Sequence, residues 1–290
     1  MWYRLIPIYV LLLCTAAVSQ SITLNFLGDC TLGSEVYNKS FDEMYQKVTP
    51  AYFFSGVKGI LSKGDLNIAN LETSITDSGN PVEKTFRFKG KPEYLQILKE
   101  GNVQVVNIAN NHTHDYGEIG YRNTLTNLKK YGIAYYGYEN VYTTVIKGIK
   151  LAFIGYMGRE SRDTLFLKIR QYKYDGYVTI VTLHWGIEST YKPIEAQVQL
   201  AHFLIVAGAD LVVGHHPHVL QPVECYNGKY ILYSIGNFCF GGNINPRDKS
   251  SAIFQVIISK DQSIRINKIP ISISSHTDFN DYRPMLKNKK

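Results

Sequence analysis

The chain has 290 residues, 45% of them hydrophobic, with a formal net charge of +7 at pH 7 and only four cysteines. That content can fill one large core, and the absence of long linkers, low-complexity tracts or solenoid-period repeats excludes a repeat array and a disulfide scaffold. Lys and Arg are scattered with no stripe or recognition motif, so anionic partners are favoured in general and no specific nucleic-acid binding is expected.

Residues 1–19 read as a signal peptide or N-terminal anchor. Arg4 precedes an apolar run from Ile6 to Val18 that ends in the small residues Ala16, Ala17 and Ser19. Such a run is short for a membrane span and suits a signal-peptide core, with cleavage near Ser19. The protein is therefore expected to be secreted or extracytoplasmic, with an anchored N-terminus as the alternative. Cys14 follows Leu13, where a lipoprotein signal wants a small residue, so lipidation there is disfavoured. Cleavage leaves Cys30, Cys225 and Cys239. A Cys225–Cys239 bridge across the Asn227-Gly228 turn is weighed against free buried thiols, which the odd number favours.

Residues 20–274 read as one domain and 275–290 as a basic, solvated tail ending in Lys289-Lys290. Strands and helices alternate through the domain. Ser21 to Leu27 is a strand, and Phe41 to Leu61 is helical or irregular and broken by Pro50. Leu66 to Asn70 is the next strand, Pro92 to Lys99 a helix stopped by Gly101, and Val103 to Ala109 a strand. Glu118 to Tyr131 is a helix ended by Gly132, before short strands at Ala134 to Tyr136 and Leu151 to Ile154. Val178 to Leu183 is a strand, Ile194 to Ala207 a helix closed by Gly208, and Leu211 to Val213 a strand. Strands at Tyr230 to Ser234, Ser251 to Ser259 and Ile264 to Ser274 complete the chain. The pattern is βαβ with a β-rich final third. Two sheets packed face to face with helices outside fit it better than a single parallel sheet, because the last three strands have hairpin-length connections that imply antiparallel pairing.

The chemistry sits where these strands end. Gly214-His215-His216-Pro217-His218 holds three of the eight histidines directly after an apolar strand. Asp29, Glu72, Asn111-His112 and His184 each follow another such run. Open α/β sheets bind ligands outside the carboxyl ends of their strands, so residues far apart in sequence converge there. Imidazole and carboxylate together suit transition metals. For any one of these residues alone, a surface Asp or a structurally bonded histidine is the plainer reading; five together favour a site. Cys30 is left out, because period-two alternation points it away from the Asp29 face. His202, in the helix before the histidine loop, is a candidate supporting group against the plainer reading of a packed or surface histidine.

These motifs, taken in order, resemble the capsule-biosynthesis CapA (poly-γ-glutamate synthesis) family, a branch of the calcineurin-like metallophosphoesterase superfamily. The matching segments are Gly28-Asp29, Asn70-Leu71-Glu72, Ala109-Asn110-Asn111-His112 with Asp115 and Gly117, and His184-Trp185-Gly186 with Glu188. Gly208-Ala209-Asp210, the histidine loop with Gln221, and Tyr233-Ser234-Ile235-Gly236-Asn237-Phe238 follow. The resemblance implies an α/β (α+β) fold, a four-layer αββα sandwich of the metallophosphoesterase type, with two divalent ions (Mn, Fe or Zn) at one edge. It implies Asp29 as a terminal ligand, Glu72 in the bridging place, and Asn111, His184, His216 and His218 completing the set. His215 is the alternative to His216, and Glu188 an additional ligand or supporting group. His112, oriented by Asp115, would protonate the leaving group. Asn237 in the last motif is a substrate-contact candidate.

Two departures matter. Metallophosphoesterases at large open with Asp-x-His, whereas Thr31 stands here, and their bridging Asp is replaced by Glu72. One metal position is therefore expected to be weak or empty, and activity does not follow from the fold. Three functions compete: a metal-dependent hydrolase of phosphoesters or of an amide in an anionic polymer, a non-catalytic capsule subunit that handles poly-γ-glutamate beside membrane-bound synthesis subunits, and an exported binding domain. A polymer groove would draw on Arg87, Lys89 and Lys91, whose plainer reading is a solvated strand face.

Overall fold

The computed structural model describes residues 20–35 and 38–287. The expected leader, residues 1–19, and the terminal Lys289-Lys290 lie outside them. None of the described helices is long and apolar enough to cross a membrane.

Two large sheets carry the fold. In the first, the strand Ser21–Thr31 pairs in parallel with Leu66–Leu71, which pairs with Val105–Asn107, which pairs with Ala134–Tyr136. On its other side Ser21–Thr31 is antiparallel to Ser250–Ser259, which forms a hairpin with Ile264–Ser272. The second sheet is built on parallel pairing of Ile149–Tyr156, Val178–His184, Leu211–His215 and Lys229–Leu232. Val141–Ile146 and Val223–Tyr226 close its two edges in antiparallel fashion.

Alternation along the strands sorts their side chains into three layers of core. Ile22, Leu24, Phe26, Leu66 and Ile68 of the first sheet meet Phe153, Val178, Ile180, Leu211 and Val213 of the second. The outer neighbours Leu27, Ala69, Leu71 and Val106 pack against helical residues Phe53, Phe54, Leu61, Ile97, Leu98 and Leu128. On the far side Ile154, Val181, Leu183 and Val212 pack against Leu165, Ile169, Ala201 and Leu204, from the helices Arg162–Tyr174 and Glu195–Ala207. The result is the expected αββα sandwich. Each buried Val, Leu, Ile or Phe among them contributes about 1.5–3 kcal/mol.

Several expected elements change. Tyr230 to Ser234 does not form a hairpin with the strand after it. Instead Asn227 and Gly228, both at positive φ, make the tight turn that joins Lys229–Leu232 back to Val223–Tyr226 in the second sheet. The helix Arg162–Tyr174 has no counterpart among the expected elements; Ser161 caps it, accepting from Thr164 N at 3.1 Å. Residues 275–287 are not a solvated tail. Asn280, Asp281 and Tyr282 are buried, and Met285–Leu286 adds a strand to the first sheet, because polar side chains there satisfy backbone groups that a free tail would leave to water. Cys30 and Cys239 are buried free thiols, whereas Cys225, on an edge strand, is free but exposed.

Asp210 lies at the amino end of its strand and belongs to the scaffold. It is fully buried and holds Lys173 at 2.8 Å, Lys229 at 2.7 Å and Thr179 N at 3.0 Å.

Candidate metal centre

A bulge aims the first candidate ligand. Leu27 and Cys30 both face the outer core, three residues apart, which strict alternation forbids. The register slips on either side of Asp29, so its carboxylate turns toward the edge between the sheets while Cys30 stays in the core. Gly28 makes this possible: a Cβ there would stand 2.0 Å from the carbonyl oxygen of Gly236, and Asp29 N donates to that same oxygen at 3.0 Å. The loop after Leu211–His215 reverses through positive φ at His216 and His218, which brings both rings back over the edge.

Asp29 is fully buried and has partners on both oxygens. His215 Nδ1 lies 2.7 Å from Oδ1, Asn70 Nδ2 donates to Oδ1 at 2.8 Å, and His218 Nδ1 lies 3.3 Å from Oδ2. Burial alone would raise its pKa, but His215 and His218 outweigh it and hold the carboxyl well below the carboxylate range. His218 Nδ1 also meets Asn237 Oδ1 at 2.9 Å. Burial disfavours its charged form, yet Glu72 and Asp29 prevail and raise it to about 10.

Glu72 is the opposite case. Both oxygens are buried and neither has a hydrogen-bond partner among the described residues. His184 Nε2 stands 3.5 Å from Oε1, His218 Nε2 3.9 Å and His112 Nε2 4.0 Å. Burial, then the charge of Asp29, push its pKa well up. A buried carboxylate left this way costs several kcal/mol unless it is neutralised or meets a cation. Ligand atoms of Asp29, Glu72 and His184 lie within 4.8 Å of one another, and so do those of Glu72, His216 and His218. Asn111 Oδ1 joins them at 2.8 Å from His184 Nε2. Burial keeps His184 and His216 neutral, the form that binds metal, and each retains a buried Nδ1 without a partner. Hard carboxylate and amide oxygens with borderline imidazoles suit divalent Mn, Fe or Zn, so the donor set fits a metal centre.

The remaining sequence candidates divide. His216 lies in one of the groups that could hold an ion, whereas the alternative, His215, bonds Asp29 Oδ1. Thr31 is buried. His112 Nδ1 lies 2.6 Å from Asp115 Oδ2. Burial lowers the His112 pKa against the pull of Asp115. Asp115 is itself fixed by Phe88 N at 2.7 Å and by Lys84 at 3.0 Å. Lys84 also reaches Asn111 O at 2.7 Å and His112 Nδ1 at 3.1 Å, and no motif marked it. Asn237 and Glu188 line the cleft above the centre, Glu188 at its exposed rim.

Arg87 and Lys89 do not line it. Alternation from Phe86 to Lys89 sends Phe86 and Phe88 into the cleft and the two cations to the other side. There Arg87 reaches Val82 O at 3.4 Å and Lys89 reaches Asp77 O at 3.4 Å. The cleft, about 640 Å³, takes its cation from Arg247 instead, beside Asn243, Asn245 and Tyr191. His202 lies away from the centre, stacked on Tyr226 at 3.7 Å and bonded to Glu224 at 2.8 Å.

An αββα sandwich with a carboxylate–histidine cluster at the carboxyl ends of its parallel strands defines the class of the protein. The model of the family described as "Bacterial capsule synthesis protein PGA_cap" matches residues 23–242, and the chain belongs to that family. It is 30% identical to the PGA biosynthesis protein CapA of Bacillus subtilis over 92% of this chain and 76% of that protein. It is 28% identical to the capsule biosynthesis protein CapA of Bacillus anthracis over 88% and 68%. A probable polyglutamine synthesis accessory protein of Mycobacterium tuberculosis is 25% identical over 72% and 66%.

Proposed function

We propose that this protein acts outside the cytoplasm in the synthesis or export of an anionic capsule polymer such as poly-γ-glutamate, and that it hydrolyses a phosphoester or an amide in that process. Family membership and the names of the relatives support the capsule role. The observation that carries the chemistry is Glu72, a carboxylate buried among three imidazoles with both oxygens unpartnered. Asp29, Glu72, Asn111, His184, His216 and His218 would hold one or two divalent ions. When bound, such ions supply Lewis acidity and a hydrolytic nucleophile at neutral pH.

The chain's own residues do the rest. Asp115 accepts a hydrogen bond from His112 Nδ1–H and leaves Nε2 as the ring's proton-exchanging atom. Asp115 stabilises the imidazolium of His112, which forms when Nε2 takes a proton and is consumed when Nε2 gives one to the leaving group. Lys84 locks this pair and the Asn111 backbone into one unit. Phe86, Phe88 and Phe240 line the cleft, while Arg247 supplies a guanidinium for an anionic substrate.

Purified protein supplied with manganese is incubated with a chromogenic phosphodiester and, separately, with poly-γ-glutamate, whose chain length is followed on gels. Turnover of one of them, lost in His112→Ala, is expected. No turnover of either, or equal turnover in the variant, removes the hydrolytic part and leaves polymer handling.

A further inference from the structure

A second cavity of about 610 Å³ opens at the carboxyl end of the strand Ile149–Tyr156 and shares no lining residue with the metal-centre cleft. Its size is that of a small-molecule site. Three touching rings form one wall: His114 stacks on Tyr121 at 4.3 Å, and Tyr138 meets both edge-on at 5.2 and 5.7 Å.

Arg159 is fixed at this wall. Its Nη1 donates to His114 Nε2 at 3.2 Å, and the guanidinium lies 5.1 Å from the centre of the Tyr138 ring. Among the described residues no carboxylate lies within ion-pair distance of it, so its other donors remain unneutralised. Because a guanidinium only donates, His114 Nε2 is the acceptor and Nδ1 carries the proton. That Nδ1 has no partner. Glu160 shows the converse demand: Oε2 takes Lys168 at 2.7 Å, and Oε1 has no donor. The cavity thus offers the free donors of Arg159, the partly exposed Glu160 carboxylate and aromatic faces between, while His114 Nδ1 and Glu160 Oε1 lie buried just beneath its surface.

We propose that this cavity binds an α-amino-carboxylate unit, its carboxylate on Arg159 and its neighbouring N–H on Glu160, with the carbon chain against Tyr121 and Tyr138. A free amino acid has this chemistry, and so does each unit of a γ-glutamyl chain, which keeps an α-carboxylate next to an amide N–H. Only the choice of glutamyl probes rests on the polymer reading. Tyr138 Oη donates to Asn110 O at 2.9 Å, so an occupant would press on the loop that presents Asn111 and His112.

Calorimetric titration of the full chain tests this with L-glutamate, D-glutamate, penta-γ-glutamate and glutarate, which has two carboxylates and no N–H. Arg159 is exposed, so Arg159→Ala and Arg159→Lys leave the core intact. Glutamate or the pentamer is expected to bind, at least about tenfold more weakly in Arg159→Ala, with part of the loss restored in Arg159→Lys and no change in Glu72→Gln. Glutarate is expected to bind more weakly than glutamate. Tighter binding of the pentamer assigns the ligand to the polymer, and equal binding assigns it to the free amino acid. No binding by any probe, or affinity indifferent to Arg159→Ala, overturns the site. Binding lost in Glu72→Gln instead puts the ligand at the metal centre and also overturns it, whereas failure of the metal-centre reading shows separately, as absent metal in the wild type.

Discussion

His215 Nδ1 lies 2.7 Å from Asp29 Oδ1, and this imidazole, buried behind the carboxylate, fixes the direction in which Asp29 faces the cluster. With Asn70 on the same oxygen, it leaves Oδ2 toward His218. The adjacent His216 turns the other way and joins the cluster itself.

Partners behind a ligand set its basicity and orientation. His215→Ala is therefore expected to weaken metal binding by about 10–100-fold while the fold persists. Metal titration by calorimetry, beside a far-ultraviolet dichroism spectrum, checks it; unchanged affinity in a folded variant contradicts the role.

Asp115 acts on His112 and touches no ligand atom of the cluster among the described residues. Asp115→Asn is expected to lower kcat by about 10²–10⁴-fold with metal content unchanged. Steady-state rates and metal analysis on the same sample separate this from simple collapse of the centre.

Burial drives the Cys30 and Cys239 thiols well above their ordinary range, whereas Cys225 is exposed. Only the thiolate reacts quickly. In the native protein an alkylating reagent should label Cys225 and spare Cys30 and Cys239 until denaturant is added. Peptide mapping reads the result, and rapid native labelling of Cys30 would contradict the buried outer core.

Asp281 is held below its ordinary value of 3.8: burial would raise it, but Ser275, Ser274 and Tyr52 donate to the carboxylate and prevail. A depressed folded pKa gives stability that is complete above 3.8 and is lost as pH falls through the folded value. Asp281→Asn should therefore lower the urea midpoint at neutral pH and flatten its decline below about pH 4. An identical acid profile in variant and wild type would show that residues 275–287 do not hold the fold.

The convergence was legible because Asp29, Glu72, Asn111-His112, His184 and the histidine loop each follow an apolar run, and parallel strands gather their carboxyl ends at one edge. The assignment of Asp29, Glu72, Asn111, His184, His216 and His218 as a ligand set rests on the family resemblance. Lys84 and Arg247 were not legible, since both come from loops without periodicity and act through contacts that only tertiary structure creates. Arg87 and Lys89 were chosen for charge, while alternation gave the cleft to Phe86 and Phe88. The helix Arg162–Tyr174 buries only Leu165 and Ile169, too thin a stripe to stand out, although Ser161 was a usable cap signal. The segment 275–287 misled because Asn280 and Asp281 secure it through side chain to backbone bonds, which leave no hydrophobic pattern.

The most direct measurement is elemental analysis by inductively coupled plasma mass spectrometry of the purified protein and Glu72→Gln, both dialysed against manganese, iron or zinc. One or two divalent ions per chain in the wild type, with at least half lost in the near-isosteric variant, is the expected result. A wild type that holds no metal, or a variant that holds as much, would contradict the assignment of Glu72 as the centre of the site.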